Sequence, residues 1–444
     1  MLSRPGPNRC LRIFITLSFL LSCALVASAQ SLSYNREMGR TILSVIQSDI
    51  KKNYYDPSFH GLDLENHFKA ADEKIKNAQN LNEILGILAS AVMELKDSHT
   101  FFVPPRRTTR VEHGWEMRLI GDKAYIIAVQ PDSDAEAKGL QAGDRVLSLE
   151  GMVVTRKNLP DLQYIFYLLA PRTAMHMFVE KPDGQRRELT IDGRVHEGKL
   201  ITDLQTGMAS DRIDLVRESE TLARLYRHRY YEIGDAALIW KMPEFDLADS
   251  QVNELMDKAA KQKALILDLR GNHGGSVPML LTLIGNLFDH NVTVSQMQRR
   301  SEKKPLIAKS RGSRAFAGKV IVLIDSASAS ASEVLAHVIQ QEKRGTVIGD
   351  LSSGQVMVAK NYDHQFGQNL LIYYGMSVTD ADLLDADGKS LEKVGVTPDE
   401  TMLPTPADLA ANRDPVLAHA AKLAGIEMSP EKAGQMFPVE WRKN

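Results

Sequence analysis

Apolar residues recur at helical spacing in the first hundred positions and at strand spacing through much of the remaining chain. Thr41 to Ile50 carries Ile42, Leu43, Val45, Ile46 and Ile50, and Leu81 to Leu95 carries Ile84, Ile87, Leu88, Ala91, Val92 and Leu95, the stripe of an amphipathic helix. Tyr55-Asp56-Pro57 breaks between them and Val103-Pro104-Pro105 ends the unit, so residues 30–104 read as a helical N-terminal domain. Across residues 105–195 the pattern changes to short strands at Ala124 to Val129, Arg145 to Leu149, Ala174 to Glu180 and Arg187 to Ile191, with a short helix at Asp132 to Lys138: a small β domain. A charged connector, 196–235, leads to a third unit, 236–405, and a C-terminal helical tail, 406–444. In that third unit, strands at Ala236 to Met242, Ala264 to Leu269, Val320 to Ile324, Val347 to Gly349, Asn369 to Tyr373 and Val396 to Pro398 alternate with helices at Gln251 to Lys261, Met279 to Phe288 and Glu333 to Gln341. Such alternation predicts an α/β layered core and an α/β multi-domain chain.

Two turns of that core can carry chemistry. Val320 to Ile324 is an uninterrupted, β-branched run of the kind buried on both faces of a sheet, and it feeds a serine–alanine turn. Ser330-Ala331-Ser332-Glu333 then fits a capping box with Ser330 at the helix N-cap. A hydroxyl there lies beside unpaired backbone N–H groups and the positive end of the helix dipole, which suits a developing oxyanion, although most N-cap serines only cap. The strand ending at Leu269 is followed by Arg270-Gly271-Asn272-His273-Gly274-Gly275, whose glycines let the backbone turn tightly and present N–H groups. This is neither G-x-G-x-x-G nor followed by G-K-[ST], so nucleotide binding is weakly supported. Asp268 and Arg270 read as a structural ion pair under the turn, and His273 could line a site without being its base.

Composition narrows the classes. A formal net charge of −2 leaves no nucleic-acid footprint. Arg4, Arg9 and Arg12, the apolar run Ile13 to Val26 and Ala27-Ser28-Ala29 read as a signal peptide, residues 1–29, cleaved after Ala29, so an exported, periplasmic or extracellular protein is expected. Leu20-Leu21-Ser22-Cys23 is a rival lipobox, and the membrane is a partner only if Cys23 carries a lipid. Cys10 and Cys23 are the two cysteines, so the chain beyond residue 29 has none; cysteine chemistry and disulfides are excluded there. No H-E-x-x-H and no cysteine pair supplies metal-ligand spacing, and neither a metal nor a cofactor is expected.

Taken together, the motifs resemble one family. D-L-R-G-N-x-G-G (Asp268 to Gly275), S-A-S-A-S-E (Ser328 to Glu333), V-I-G-[DE]-x-[ST]-x-G (Val347 to Gly354) and G-V-x-P-D (Gly395 to Asp399) resemble the C-terminal processing peptidases, or tail-specific proteases. Ala135 to Gly151, A-x-x-x-G-L-x-x-G-D-x-[VI]-L-x-[LI]-x-G, resembles a PDZ domain. The resemblance implies a serine peptidase with a crotonase-like (ClpP/crotonase) catalytic core and Ser330 as nucleophile. Its PDZ-like unit implies capture of a peptide chain end by strand addition, here near Gly114 and Trp115.

One departure decides the base. In the processing-peptidase branch a lysine follows the glycine matched by Gly354, whereas this chain has Gln355, which cannot take a proton from serine. Lys360 lies about 17 Å further along an extended chain. The branch resembling the tricorn protease core uses histidine, and Lys96-Asp97-Ser98-His99-Thr100 stands in the place of its Ser-His pair. That resemblance implies His99 as general base, Ser98 and Glu392 orienting and polarising the site, and an oxyanion hole of Ala331 N–H with Gly274 or Gly275 N–H. The expected function is an exported serine endopeptidase acting on peptides or unfolded protein segments through an acyl-enzyme. Two rivals are an inactive peptide- or ligand-binding protein on the same fold and an acyl-CoA-type enzyme whose activity would survive Ser330→Ala.

Overall fold

The computed structural model describes residues 31–197, 218–367 and 371–442. The expected signal peptide, Cys23, residues 198–217 of the expected connector and the start of the strand expected at Asn369 lie outside them. The chain divides into two compact units.

The first unit holds residues up to Lys96, Thr100–Pro105 and Asn361–Val378. Helix 31–53 and helix Leu81–Met93 bury the periodic residues read from the sequence, Ile42, Ile46, Ile50, Ile84, Leu88 and Val92, and the helix Leu64–Asn77 between them, not read from the sequence, buries Ile75. Asp63 and Asn80 cap the second and third helices by accepting N–H groups of Asn66 and Glu83. A short strand, Phe101–Val103, pairs antiparallel with Gly375–Ser377.

The second unit holds Asp97–His99, Arg106–Lys360 and Thr379–Asn444. Its centre is a six-stranded sheet in the spatial order Arg229–Ile233, Ala237–Lys241, Ala264–Asp268, Lys319–Ile324, Gly345–Gly349, Glu400–Thr401; the first pair is antiparallel and the rest parallel. Strand side chains alternate between faces. Leu238, Trp240, Leu265, Leu267, Val320, Val322 and Ile324 pack against the helices Asp249–Ala259, Val277–Leu287 and Ala331–Gln341. Ile239, Ile266, Ile321, Leu323 and Ile348 pack on the other face against Val416, Leu417, Ala418, Ala420 and Ala433. The C-terminal helices Pro415–Leu423 and Pro430–Gly434 are therefore the second layer of the core rather than an appendage to it. Parallel strands end at one edge of such a sheet, so the turns after Asp268, Ile324 and Gly349 share that edge.

The β domain is a sheet ordered Trp115–Ile120, Lys123–Val129, Arg145–Leu149, Ala174–Glu180, Arg186–Asp192, with Met152–Val153 on Arg145–Leu149. Ile126, Met175, Met177, Val179 and Ile191 fill its core. It is bonded to the central sheet's loops: Arg118 to Asp325 at 2.5 Å, Ser326 Oγ to Leu119 O at 2.6 Å and Gly121 N to Asp350 Oδ2 at 2.8 Å.

The expected strand at Val396 to Pro398 is absent: Val396 spends its N–H and C=O on Ser352, and Pro398 has no N–H to give. Strands Val292–Arg299 and Lys303–Ala308, a hairpin the periodicity did not predict, alternate apolar with polar only at Val292 and Val294.

Candidate active site

Ser330 sits between the strand Lys319–Ile324 and the helix Ala331–Gln341, at φ 54° and ψ −119°. A non-glycine residue there stores about 1–3 kcal/mol, which the surroundings must impose. Its N–H is held by Gln355 O at 2.8 Å and Glu333 Oε2 at 3.0 Å. The hydroxyl makes no capping bond. The other serines of the turn have spent theirs: Ser326 on Leu119 O, Ser328 on Leu269 O and Ser332 on Asn272 O. Of the four, Ser330 alone keeps an uncommitted hydroxyl among the described residues.

Glu333 does more than cap. Fully buried, it also accepts Ser352 Oγ–H at 2.5 Å, Gly354 N–H at 2.7 Å and Gln355 N–H at 3.0 Å, tying the loop 352–355 to the serine turn. Burial pushes its carboxyl up to about 7, against the pull of these donors.

The next peptide group extends the network. Gln355 C=O takes the Ser330 N–H, and the N–H of the same peptide, on Val356, donates to Glu392 Oε2 at 2.8 Å. One planar amide thus spans the two, so Ser330 N and Glu392 Oε2 are no more than about 8 Å apart. Glu392 also accepts Ser98 N–H on Oε1 and Ser98 Oγ–H on Oε2, each at 2.9 Å, and Ser98 Oγ lies 2.7 Å from His99 Nδ1. Ser98 has one hydroxyl proton and gives it to Glu392, so Nδ1–H of His99 must be the donor to Ser98. That fixes the tautomer with a bare lone pair on Nε2, which bonds to no described residue. Asp97 Oδ1 accepts the His99 backbone N–H at 2.9 Å and Thr379 Oγ1–H at 2.7 Å. Burial holds the His99 imidazole below its usual range, with Asp97 pulling the other way; burial also raises Glu392, while its donors oppose.

Beside Ser330, a Cβ added to Gly274 (φ 98°) would stand 2.6 Å from Ser330 Cβ and 3.0 Å from Ala331 N. Gly274 N–H is taken by Asn272 Oδ1 at 2.7 Å. The N–H groups of Gly275 and Ala331 donate to no described residue, which leaves these two for an oxyanion. Beneath the turn, Arg270 bridges Asp268 and Asp414, with Lys241 also on Asp268. Burial would raise Asp268, but Arg270 and Lys241 hold it well below the carboxylate range. Arg270→Met should therefore lower the unfolding free energy by about 3–5 kcal/mol in urea titration, since it strips a buried carboxylate of its main partner; an unchanged midpoint would refute the ion-pair role.

Gly114 and Trp115 lie at the start of the strand Trp115–Ile120, an edge of its sheet. Gly114 lines a cavity of about 260 Å³ with His113, Gln130 and Ser133, whereas the Trp115 indole is buried. Sequence reading missed Asn272 and Glu333 as network residues; both stand inside the motifs, but their partners are distant in the chain. Among the described residues no cluster of metal-ligating side chains occurs, and no helix is long and apolar enough to cross a membrane.

Residues 237–402, the span that holds both turns, match peptidase family S41. A chloroplastic C-terminal processing peptidase of Tetradesmus obliquus is 24% identical over 390 residues, which cover 81% of this chain and 77% of that one. Over residues 237–402 the chain is similar to peptidase family S41, and it is a serine peptidase. It is also 26% identical to putative tricorn protease homolog 2 of Streptomyces coelicolor over 396 residues, 84% of the chain but 31% of the relative. Carboxy-terminal processing protease CtpA of Bacillus subtilis is 30% identical over 155 residues, covering 34% of the chain and 31% of the relative. Among solved structures, mature CPAF aligns at a TM-score of 0.62 with 14% identity, covering 85% of this chain and 94% of its own. The photosystem II D1 C-terminal processing protease aligns at 0.52 with 19% identity, over 89% and 99%. Both likenesses speak for the S41 fold, and the family's substrates are peptides or proteins.

Proposed function

We propose that this serine peptidase is an exported endopeptidase working through an acyl-enzyme on Ser330, with His99 as general base, in the histidine-using manner of the tricorn core. The observation that carries this is the run of hydrogen bonds from His99 Nδ1 through Ser98 and Glu392 to the Gln355–Val356 peptide that holds Ser330. In the first step His99 Nε2 accepts the Ser330 proton as Oγ bonds to the scissile carbonyl carbon. The tetrahedral oxyanion draws on Gly275 and Ala331 N–H. Collapse breaks the C–N bond, and the imidazolium returns its proton to the leaving amine. Water then repeats the sequence and frees Ser330. Glu392, through Ser98, supports the charge that His99 carries transiently. The crotonase-like core and the PDZ-like reading of the β domain belong to the same proposal: the open edge of Trp115–Ile120 beside Gly114 would take a chain end as an added strand.

The test is the pH dependence of kcat/KM on an unstructured peptide. The base must be neutral to act and burial lowers its pKa, so the rate should rise with one proton about a midpoint below the usual imidazole value of about 6.5 and be flat at higher pH. An ascending limb well above pH 8 would point to a lysine-type base and contradict His99.

A further inference from the structure

We propose that Asn272 is the positioning residue that assigns Gly275, rather than Gly274, to the oxyanion hole and locks the glycine turn onto the nucleophile turn; the inference rests on the Ser330 peptidase reading. Asn272 is fully buried; its N–H bonds Leu269 O at 3.0 Å within the same turn, and its side chain and carbonyl tie that turn to its surroundings. Its Nδ2 donates to Met242 O at 3.0 Å, just beyond the neighbouring strand. Its Oδ1 accepts Gly274 N–H at 2.7 Å. Its backbone carbonyl accepts Ala329 N–H at 2.9 Å and Ser332 Oγ–H at 3.1 Å, the residues on either side of Ser330–Ala331.

The consequence lies in peptide geometry. Gly274 C=O and Gly275 N–H belong to one amide and point in opposite directions. Phe245 N–H bonds that carbonyl at 2.8 Å, so Gly275 N–H faces away from Phe245. The preceding amide has no such clamp except Asn272 Oδ1. Gly274 at φ 98° and Gly275 at φ 133° offer no side-chain resistance to its rotation. Remove the Asn272 acceptor and Gly274 N–H becomes a competing donor on a turn that can swing, while the turn's register against Ala331 loosens.

The experiment compares wild type with Asn272→Ala and Asn272→Asp after active sites have been counted with a fluorophosphonate. For each, kcat per titrated site, KM and the Ki of a peptide aldehyde are measured. Asn272→Ala should lose about 10²-fold in kcat per titrated site, with KM little changed and aldehyde affinity weakened by a matching factor. Asn272→Asp keeps an oxygen for Gly274 N–H and should stay within about tenfold of wild type on the same scale. A purely structural role would lower the number of titratable sites and leave kcat per site alone, and that result overturns the inference. So does an Asp variant that loses as much per site as the alanine. A wild type that takes up no probe overturns the peptidase reading, and this inference with it.

Discussion

Replacing Ser330 with alanine is expected to lower kcat by about 10⁶-fold, to the residue of catalysis that binding and the oxyanion donors supply alone. The size reflects the unit in which the serine acts on the proposed mechanism: without Oγ no acyl-enzyme would form, and His99 would have no proton to move. Ser326, Ser328 and Ser332 cannot substitute, because each hydroxyl is engaged by a backbone carbonyl of a neighbouring segment. The fold should survive, since Ser330 is held through its backbone N–H and not its side chain. An alanine variant with an unchanged melting temperature and at least a thousandth of the wild-type rate would refute the nucleophile.

Replacing His99 with alanine is expected to cost roughly 10³-fold or more in kcat, with KM little changed, while Gln355→Ala stays within a few fold. The contrast separates the two branches of the family resemblance. Gln355 contributes its backbone: the carbonyl holds Ser330 and the N–H reaches Glu333, and alanine keeps both. His99 contributes its ring, oriented by Ser98 and, behind it, Glu392. Equal losses at the two positions, read from kcat on one peptide substrate, would sink the histidine assignment.

Much of the architecture was legible because it is local. The buried run Val320 to Ile324, the capping pattern after Ser330 and the glycines after Leu269 each announce a strand-to-helix turn from adjacent residues. What escaped is set by contacts between distant positions. Nothing near Val396 shows that Ser352 will claim its backbone, and nothing near Pro415 shows that its helix will cover Ile266 and Ile321. Glu333 reads as a capping glutamate, yet three of its four donors come from the loop 352–355. Gly274 and Gly275 are indistinguishable in sequence; in the fold the Asn272 carboxamide takes the N–H of the first, and Phe245 N–H orients the amide of the second.

The most direct measurement is the rate and location of fluorophosphonate attachment to the native protein, followed by peptide mapping in a mass spectrometer. The account predicts one adduct, on Ser330, absent in Ser330→Ala and formed at least about 10²-fold more slowly in His99→Ala. An adduct on another residue, or a rate that His99→Ala leaves unchanged, would contradict it.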